Sequence, residues 1–454
     1  MLSIIILAAG KGTRMKSKLP KVMQPLAGRP LLEHVLLNAR ELKPSSIIVV
    51  YGYGGDQVQD YFKHDKDIEW AHQTEQLGTG HAVKQAIGSV PDQDRVLILY
   101  GDVPLISHKT LDPLVNNKNN ELELLTAIVP DGSGYGRIIR EEDRIIGIIE
   151  ESDADEKVRK INEINTGIMS CRANQMKIWL DKLKNDNKKQ EYYLTDIVDL
   201  AVQDEIAIHG HKSKIWEESM GINDKSELAK AERLLQKKLA TQYMKAGLTL
   251  MDPSRIDIRG SLRHGQDVSV DVNVVFEGKV ELGNNVKIGP NTYVSDSSIG
   301  DNTTIHANSH ISGASIGSDS EIGPFARIRP GAVFKNNVKI GNFVEIKKTV
   351  IDDFSKVNHL SYIGDATVGK NVNIGAGTIT CNYDGANKHQ TTIEPEVFVG
   401  SGTELVAPVT IGRGAYIGAG SCITENVPAN ALALARGRQV IKEARASKIR
   451  KNSE

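Results

Sequence analysis

The sequence is poor in cysteine, has almost no net charge and contains no long apolar run. Its three cysteines, Cys171, Cys381 and Cys422, are scattered without paired spacing over 454 residues. That excludes a disulfide framework and leads us to expect a reducing, cytoplasmic compartment, with each thiol a small buried residue. Lysine and arginine number 56 against 57 acidic residues, for a net charge of -1. No global basic field points to nucleic acid, and any charged ligand must be met locally. The apolar stretch Leu2 to Ala9 follows no basic segment and is far shorter than the roughly 20 residues of a membrane span. Neither a targeting signal nor a membrane partner is expected.

The first part of the chain alternates β-branched runs with helical patterns. "SIIIL" and "SIIVVY" read as buried strands, and Pro30 opens a segment between them in which Leu32, Val35, Leu36 and Ala39 recur at helical spacing. A third strand, "RVLILYGDVPL", ends in Gly101 and Asp102. These features predict an α/β domain of Rossmann-like type, an open and mostly parallel sheet with function at the carboxyl ends of its strands. From Asp224 to Gly247 one amphipathic helix is expected, with Leu228, Ala231, Leu235 and Leu239 on one face and a glycine closing it.

After Gly247 the rhythm changes. Leu282, Ile288, Val294 and Ile299 step by 6, 6 and 5 residues, and the same order repeats through Ile305, Ile311 and Ile316, so three hexapeptides fill a turn of 17. A phase held over several turns is the signature of a parallel β-helix, which stacks short strands coil on coil around an aliphatic ladder. The ladder breaks once. From Val368 to Ile393 is 25 residues, so about seven or eight are extruded within "TCNYDGANKHQT". Insertions in solenoids map to loops on one face, which makes this loop a candidate site.

The loop "LAAGKGTRMKSKLPK", residues 7 to 21, fails two phosphate-binding templates. A dinucleotide fingerprint needs glycine where Met15 stands, and a Walker loop needs Ser or Thr after Gly-Lys. What remains is a glycine-rich turn whose backbone N–H groups can cradle phosphate oxygens beside Lys11, Arg14 and Lys21.

These residues carry a resemblance. "LAAGKGTRM" with "LPKVMQPLAGRP" resembles the signature of sugar-1-phosphate nucleotidyltransferases, and "QLGTGHA", "LYGDVPL", "GYGRIIR", "EINTGI" and "EYYLTDI" follow in order. Joined to the hexapeptide region, the whole chain resembles the bacterial bifunctional N-acetylglucosamine-1-phosphate uridyltransferase and glucosamine-1-phosphate N-acetyltransferase family. The resemblance implies a uridyltransferase domain over residues 1–223, a linker helix over 224–247 and a left-handed β-helix acetyltransferase domain over 248–454. It implies acetyl transfer from acetyl-CoA, then uridylyl transfer from UTP with Mg²⁺, in a cytoplasmic homotrimer acting on small molecules.

The resemblance also assigns residues. Leu7, Ala8, Ala9, Gly10, Lys21, Gln73, Gly78, Thr79, Tyr100 and Asp102 match nucleotide-binding positions, with Arg14 on the leaving pyrophosphate and Lys21 on the transferred phosphate. Asp102 and Asn223 match the Mg²⁺ ligands, although helix capping is the ordinary role for Asn223. Gly136, Glu150 and Asn165, with Asn223, match the sugar site; Glu151 lies beside Glu150, so a slip of one residue is open.

In the β-helix, amine acetylation needs a base, for which His359 is the candidate, with Glu345 as an orienting group. Arg329, Lys347, Tyr362 and Asn373 match positions that hold glucosamine 1-phosphate. Asn382, Tyr383, Ser401, Ala419 and Arg436 match acetyl-CoA positions, and Asn382, Tyr383 and Lys388 lie in the extruded loop. Alternatives are a single-activity nucleotidyltransferase with a structural β-helix, and a first domain that only binds nucleotide. A zinc hydratase is a third, but it needs converging histidines, and His306, His310 and His359 fall in different phases of the ladder.

Overall fold

In the computed structural model, which describes residues 1–116 and 121–446, Leu2–Leu7 forms a strand buried on both faces. Ile4 and Ile6 enter one core, while Ile5 and Leu7 enter the other. This is why the run is continuously apolar. The chain divides into two units, Met1–Leu235 and Gln236–Glu454.

The first unit is an α/β sheet of nine strands: β1 (Leu2–Leu7), β2 (Ser46–Tyr51), β3 (Ile68–His72), β4 (Arg95–Tyr100), β5 (Leu122–Ile128), β6 (Arg137–Glu141), β7 (Arg144–Ile149), β8 (Glu163–Arg172) and β9 (Ile208–Lys212). The order is β9-β5-β8-β4-β1-β2-β3, with the β6–β7 hairpin joined to β8. β1 runs parallel to β2 and β4, and β3 and β9 join parallel. β8 is antiparallel to both β4 and β5. The reversal brings residues 163–167 of β8 to the end of the sheet where β1 and β4 finish, and so to the candidate site.

The helix Lys225–Lys245 crosses the boundary of the two units. Asp224 caps it, its Oδ1 accepting from Glu227 N at 2.9 Å. Within the first unit Leu228, Ala231 and Leu235 pack with Met15, Leu26 and Leu31. Within the second, Ala240 joins the β-helix core and Gln236 exchanges hydrogen bonds with the Ile258 backbone at 2.8 and 3.0 Å.

The second unit is a parallel β-helix. Its core ladder runs Ile288, Ile305, Ile322, Ile340, Val357, Ile374 and Val399, each residue in register with the next. Each is at most 3% exposed, and full burial of such a side chain contributes about 1.5–3 kcal/mol. Asparagine and aspartate recur at the turns because they tolerate left-handed φ, as at Asn285 (φ 55°), Asn302 (φ 57°) and Asp319 (φ 57°). Their side chains bridge coils, from Asn285 to Asn302 and from Asn302 to Asp319, at 3.0 Å each. Val368 pairs with Ile393 across the single break in the rhythm.

The cysteines depart from expectation. Cys171 is buried, but Cys381 is half-buried and Cys422 exposed. Cys422 shares a two-residue strand with Ile423, which takes the inward position.

Candidate active sites

A cavity of about 240 Å³ opens at the carboxyl ends of β1, β3 and β4. Leu7, Ala8, Ala9, Gly10, Lys21, Gln73, Gly78, Thr79, Tyr100 and Asp102 all line it. Two glycines set the path of the chain here, Gly78 in the wall and Gly12 behind Lys21. Gly12 has φ 58°, and a Cβ there would lie 2.5 Å from Lys21 Cβ; Gly78 has φ 107°, and a Cβ would lie 2.6 Å from the Tyr192 carbonyl oxygen. Only glycine lets the chain pass at these points. Gln73 is buried, with Nε2 donating to the Gly78 carbonyl at 3.2 Å. Tyr100 lies beneath, its hydroxyl pushed above the ordinary tyrosine range by burial and then by Asp102 and Glu150.

The Lys21 ammonium contacts Asp102 Oδ2 and donates to Asn223 Oδ1 at 2.9 Å. Asp224 does the capping, which leaves the Asn223 side chain for this contact. Ile222 N donates to the Asp102 carbonyl at 2.9 Å and fixes the two segments together. A carboxylate oxygen and an amide oxygen thus converge on one cationic nitrogen, a hard-oxygen donor pair that suits Mg²⁺. A separate group, Glu121, Glu123 and His209 on the β5–β9 edge, also gathers ligand atoms, all within 4.8 Å of one another. There Glu123 Oε2 already meets His211 at 2.5 Å.

Gly136, Glu150 and Asn165 are neighbours. Asn165 N donates to the Gly136 carbonyl at 2.8 Å, and a Cβ on Gly136 would lie 3.5 Å from the Glu150 carboxyl. Glu150 accepts from Thr195 Oγ1 at 2.9 Å, whereas Glu151 pairs with Arg137 at 2.9 Å and Arg159 at 3.5 Å. Geometry therefore puts Glu150, not Glu151, with the group. Arg14 is exposed and does not line the cavity.

On the β-helix, Arg329, Lys347, Tyr362 and Asn382 come from successive coils of one sheet or the turns just beyond it. Arg329 Nη1 donates to Glu345 Oε1 at 2.7 Å. Asn382 Nδ2 contacts Asp365 Oδ2 and lies 3.4 Å from the Tyr362 hydroxyl. The Lys388 ammonium is held below its ordinary value by neighbouring Lys347. The extruded loop is folded on itself: Tyr383 bridges Lys388, and Asp384 Oδ1 accepts from Ala386 N and Asn387 N at 2.8 and 2.6 Å. Those N–H donors and His389 hold the Asp384 carboxyl well below the usual range.

His359 ends a strand of the neighbouring sheet, which also carries Asn373. It is exposed, with Nδ1 3.0 Å from Asn342 Oδ1. Glu345, the expected orienting group, is engaged by Arg329 instead. Just beyond His359 one corner of the coil changes character. Phe325, Phe343 and Leu360 occupy it with φ of 55°, 56° and 49°, and Gly377, Gly402 and Gly420 continue it at 72°, 65° and 72°. Bulky corner side chains thus give way to an open, low corner flanked by Ser401 and Ala419. Arg436 folds onto its end, donating from Nη1 to the Ala419 carbonyl at 2.6 Å.

Family profiles match in the order of these two units. A MobA-like NTP transferase domain matches residues 4–165, a GMPPB C-terminal domain residues 258–359, and a bacterial transferase hexapeptide (six repeats) residues 390–425. "Bifunctional protein GlmU" of Acinetobacter baylyi is 51% identical over 441 residues, covering 97% of each chain. Its counterpart in Aromatoleum aromaticum is 50% identical over 442 residues with the same coverage. The chain belongs to the bifunctional GlmU family. A solved UDP-glucose pyrophosphorylase complexed with UDP-glucose is 19% identical with a TM-score of 0.42, covering 52% of this chain and 98% of that one.

As a GlmU family member the chain is a bifunctional transferase: a nucleotidyltransferase domain and a hexapeptide acetyltransferase domain, which together carry out the two steps that make UDP-N-acetylglucosamine. The single-activity and binding-only readings fall, because the relatives align over both units. Its substrates are small molecules, nucleotides among them. No helix among the described residues is long and apolar enough to cross a membrane. Among the positions not singled out in the sequence are Gln76 and Glu191 in the cavity wall, Asp365 against Asn382 and Asn342 against His359. Glu191 stands inside the quoted "EYYLTDI" motif, which was a usable signal.

Proposed function

We propose that the 240 Å³ cavity binds UTP and that Asp102 and Asn223 hold Mg²⁺ beside it. The observation that carries this reading is the convergence of Lys21, Asp102 and Asn223 at the cavity mouth. Bound there, the cation neutralises charge on the nucleotide phosphates. Lys21 faces the phosphate being transferred, and Arg14 faces the departing pyrophosphate. Gln73, Gly78 and Thr79 read the uracil edge, while Gly136, Glu150 and Asn165 hold the N-acetylglucosamine moiety. The sugar phosphate oxygen then bonds to the α-phosphorus as the bond to pyrophosphate breaks, and catalysis is positioning plus charge neutralisation.

On the β-helix, Arg329, Lys347, Tyr362 and Asn373 hold glucosamine 1-phosphate. Ser401, Ala419 and Arg436 hold acetyl-CoA along the glycine corner, and Asn382 and Tyr383 hold it from the extruded loop. The amine nitrogen bonds to the acyl carbon, His359 Nε2 takes an amine proton, and the C–S bond breaks to release the thiolate. Uridyl transfer belongs to residues 1–223 and acetyl transfer to 248–454, with 224–247 between them. A homotrimer fits the exposed corner where the Phe325 and Phe343 rings stack at 5.2 Å, since grouped apolar surface of this kind marks an interface. A cytoplasmic location fits three unpaired cysteines.

With Mg²⁺, the purified protein should make UDP-N-acetylglucosamine from UTP and N-acetylglucosamine 1-phosphate, and separately release thiol from acetyl-CoA with glucosamine 1-phosphate. His359→Ala should abolish only thiol release, and Asp102→Ala only pyrophosphate release. Either substitution stopping both reactions in a protein that light scattering still finds trimeric would overturn the two-site reading.

A further inference from the structure

The strands Lys339–Asn342 and Lys356–His359 have four residues each, whereas their sheet neighbours Glu321–Ile322 and Asn373–Ile374 have two. The extra length has a structural consequence, because the parallel register puts Asn342 opposite His359. Gly341 permits the approach, since a Cβ there would run into the Asn358 carbonyl oxygen. Both backbones are pinned: Leu360 N donates to the Asn342 carbonyl at 3.1 Å, and Gly377 N and Ser361 Oγ donate to the His359 carbonyl at 3.3 and 2.8 Å. The contact at the strand ends is His359 Nδ1 to Asn342 Oδ1 at 3.0 Å.

We propose that Asn342 is a positioning residue for acetyl transfer: it accepts the Nδ1–H of His359 and so keeps the ring's lone pair on Nε2, facing the substrate amine. The inference rests on the reading of His359 as base. An amide oxygen only accepts, so it fixes the tautomer. Being uncharged, it favours the imidazolium less than a carboxylate in the same place would. A carboxylate in its place would orient the ring equally well but would raise the pH needed to deprotonate it. The charged groups of the surrounding strands are engaged elsewhere or lie apart: Lys339 pairs with Glu321 at 3.2 Å, Glu345 with Arg329 at 2.7 Å, and Lys347 neighbours Lys388. Lys356 sits on the same strand as His359 with Asn373 as its register partner.

The test measures thiol release from acetyl-CoA against pH for the full chain and for Asn342→Ala, Asn342→Asp and His359→Ala, with the urea unfolding transition of the β-helix unit as the control for folding. Asn342→Ala should lower kcat about tenfold or more, inside the range that general-base catalysis supplies, with KM for glucosamine 1-phosphate unchanged. Asn342→Asp should restore most of the rate at high pH while moving the acid limb up by about one unit. Asn342→Ala within threefold of the parent, or Asn342→Asp with an unmoved acid limb, overturns the proposal, the latter because the residue would then act on structure alone. Full activity in His359→Ala would instead overturn the base reading beneath it.

Discussion

Replacing Gly12 by alanine should cut uridyl transfer about a hundredfold and leave acetyl transfer intact. Gly12 sits at φ 58°, and an added Cβ would stand 2.5 Å from Lys21 Cβ. Carbon atoms in ordinary contact lie about 3.5–4.0 Å apart, so one segment must move by roughly 1 Å. The left-handed conformation itself costs an alanine about 1 kcal/mol, which lowers the unit's Tm by about 2–4 °C. The larger effect falls on Lys21, whose ammonium is held by Asp102 and Asn223. A displacement near 1 Å at a charge-positioning group is worth about 10²-fold in rate, or about 2.7 kcal/mol of barrier. The assay is pyrophosphate release from UTP and N-acetylglucosamine 1-phosphate, with thiol release from acetyl-CoA measured on the same sample. A Gly12→Ala protein within threefold of the parent would refute the claim that this glycine is required by the path of Lys21.

Two further outcomes follow from burial. Asp196 is pushed up from 3.8 to about 6, first by burial and then by Asp199 and Glu150. The native state therefore holds an extra proton between those values, so stability falls as pH rises through that window and the penalty is complete above it. Asp196→Asn should gain about 1 kcal/mol at neutral pH, after discount for partial exposure, and nothing near pH 4; equal gains in urea denaturation at both would contradict the assignment. Ile363 is fully buried in register with Ile346, so Ile363→Ala should cost the β-helix about 2–5 kcal/mol. Uridyl transfer should persist because the first unit has its own cores, and a loss below 1 kcal/mol would show that the ladder relaxes around the cavity.

How much could be read in advance differs between the units for a physical reason. A β-helix writes its spatial neighbours at a fixed sequence offset, so the ladder and its break at Val368 and Ile393 were visible without coordinates. The mixed sheet has no such rule. β1, β2 and β4 were legible as apolar runs, but nothing in "EINTGIMSCR" announces that β8 runs backwards between β4 and β5. Asn223 read most simply as a cap because it precedes a helix; Asp224 does that work one residue later and leaves Asn223 for Lys21. Cys422 was expected inside on composition alone, yet alternation along its strand gives the inner place to Ile423.

The partner of His359 shows the limit of choosing by residue type. Glu345 was attractive because a carboxylate is the familiar orienting group for an imidazole, but it stands 14 positions earlier in the sequence. In coils of 17 or 18 residues that offset is not the strand register, which sets Asn342 opposite His359. It turns Glu345 onto the next sheet, where Arg329, 16 residues before it, reaches it from the adjacent coil. The residue 17 before His359 is Asn342, and that is the one in contact. The same period that located the extruded loop therefore also named this neighbour, and chemical plausibility alone pointed to the wrong side chain. For His359, the neighbour one coil away is therefore the side chain to weigh first, and its chemistry is judged after its offset.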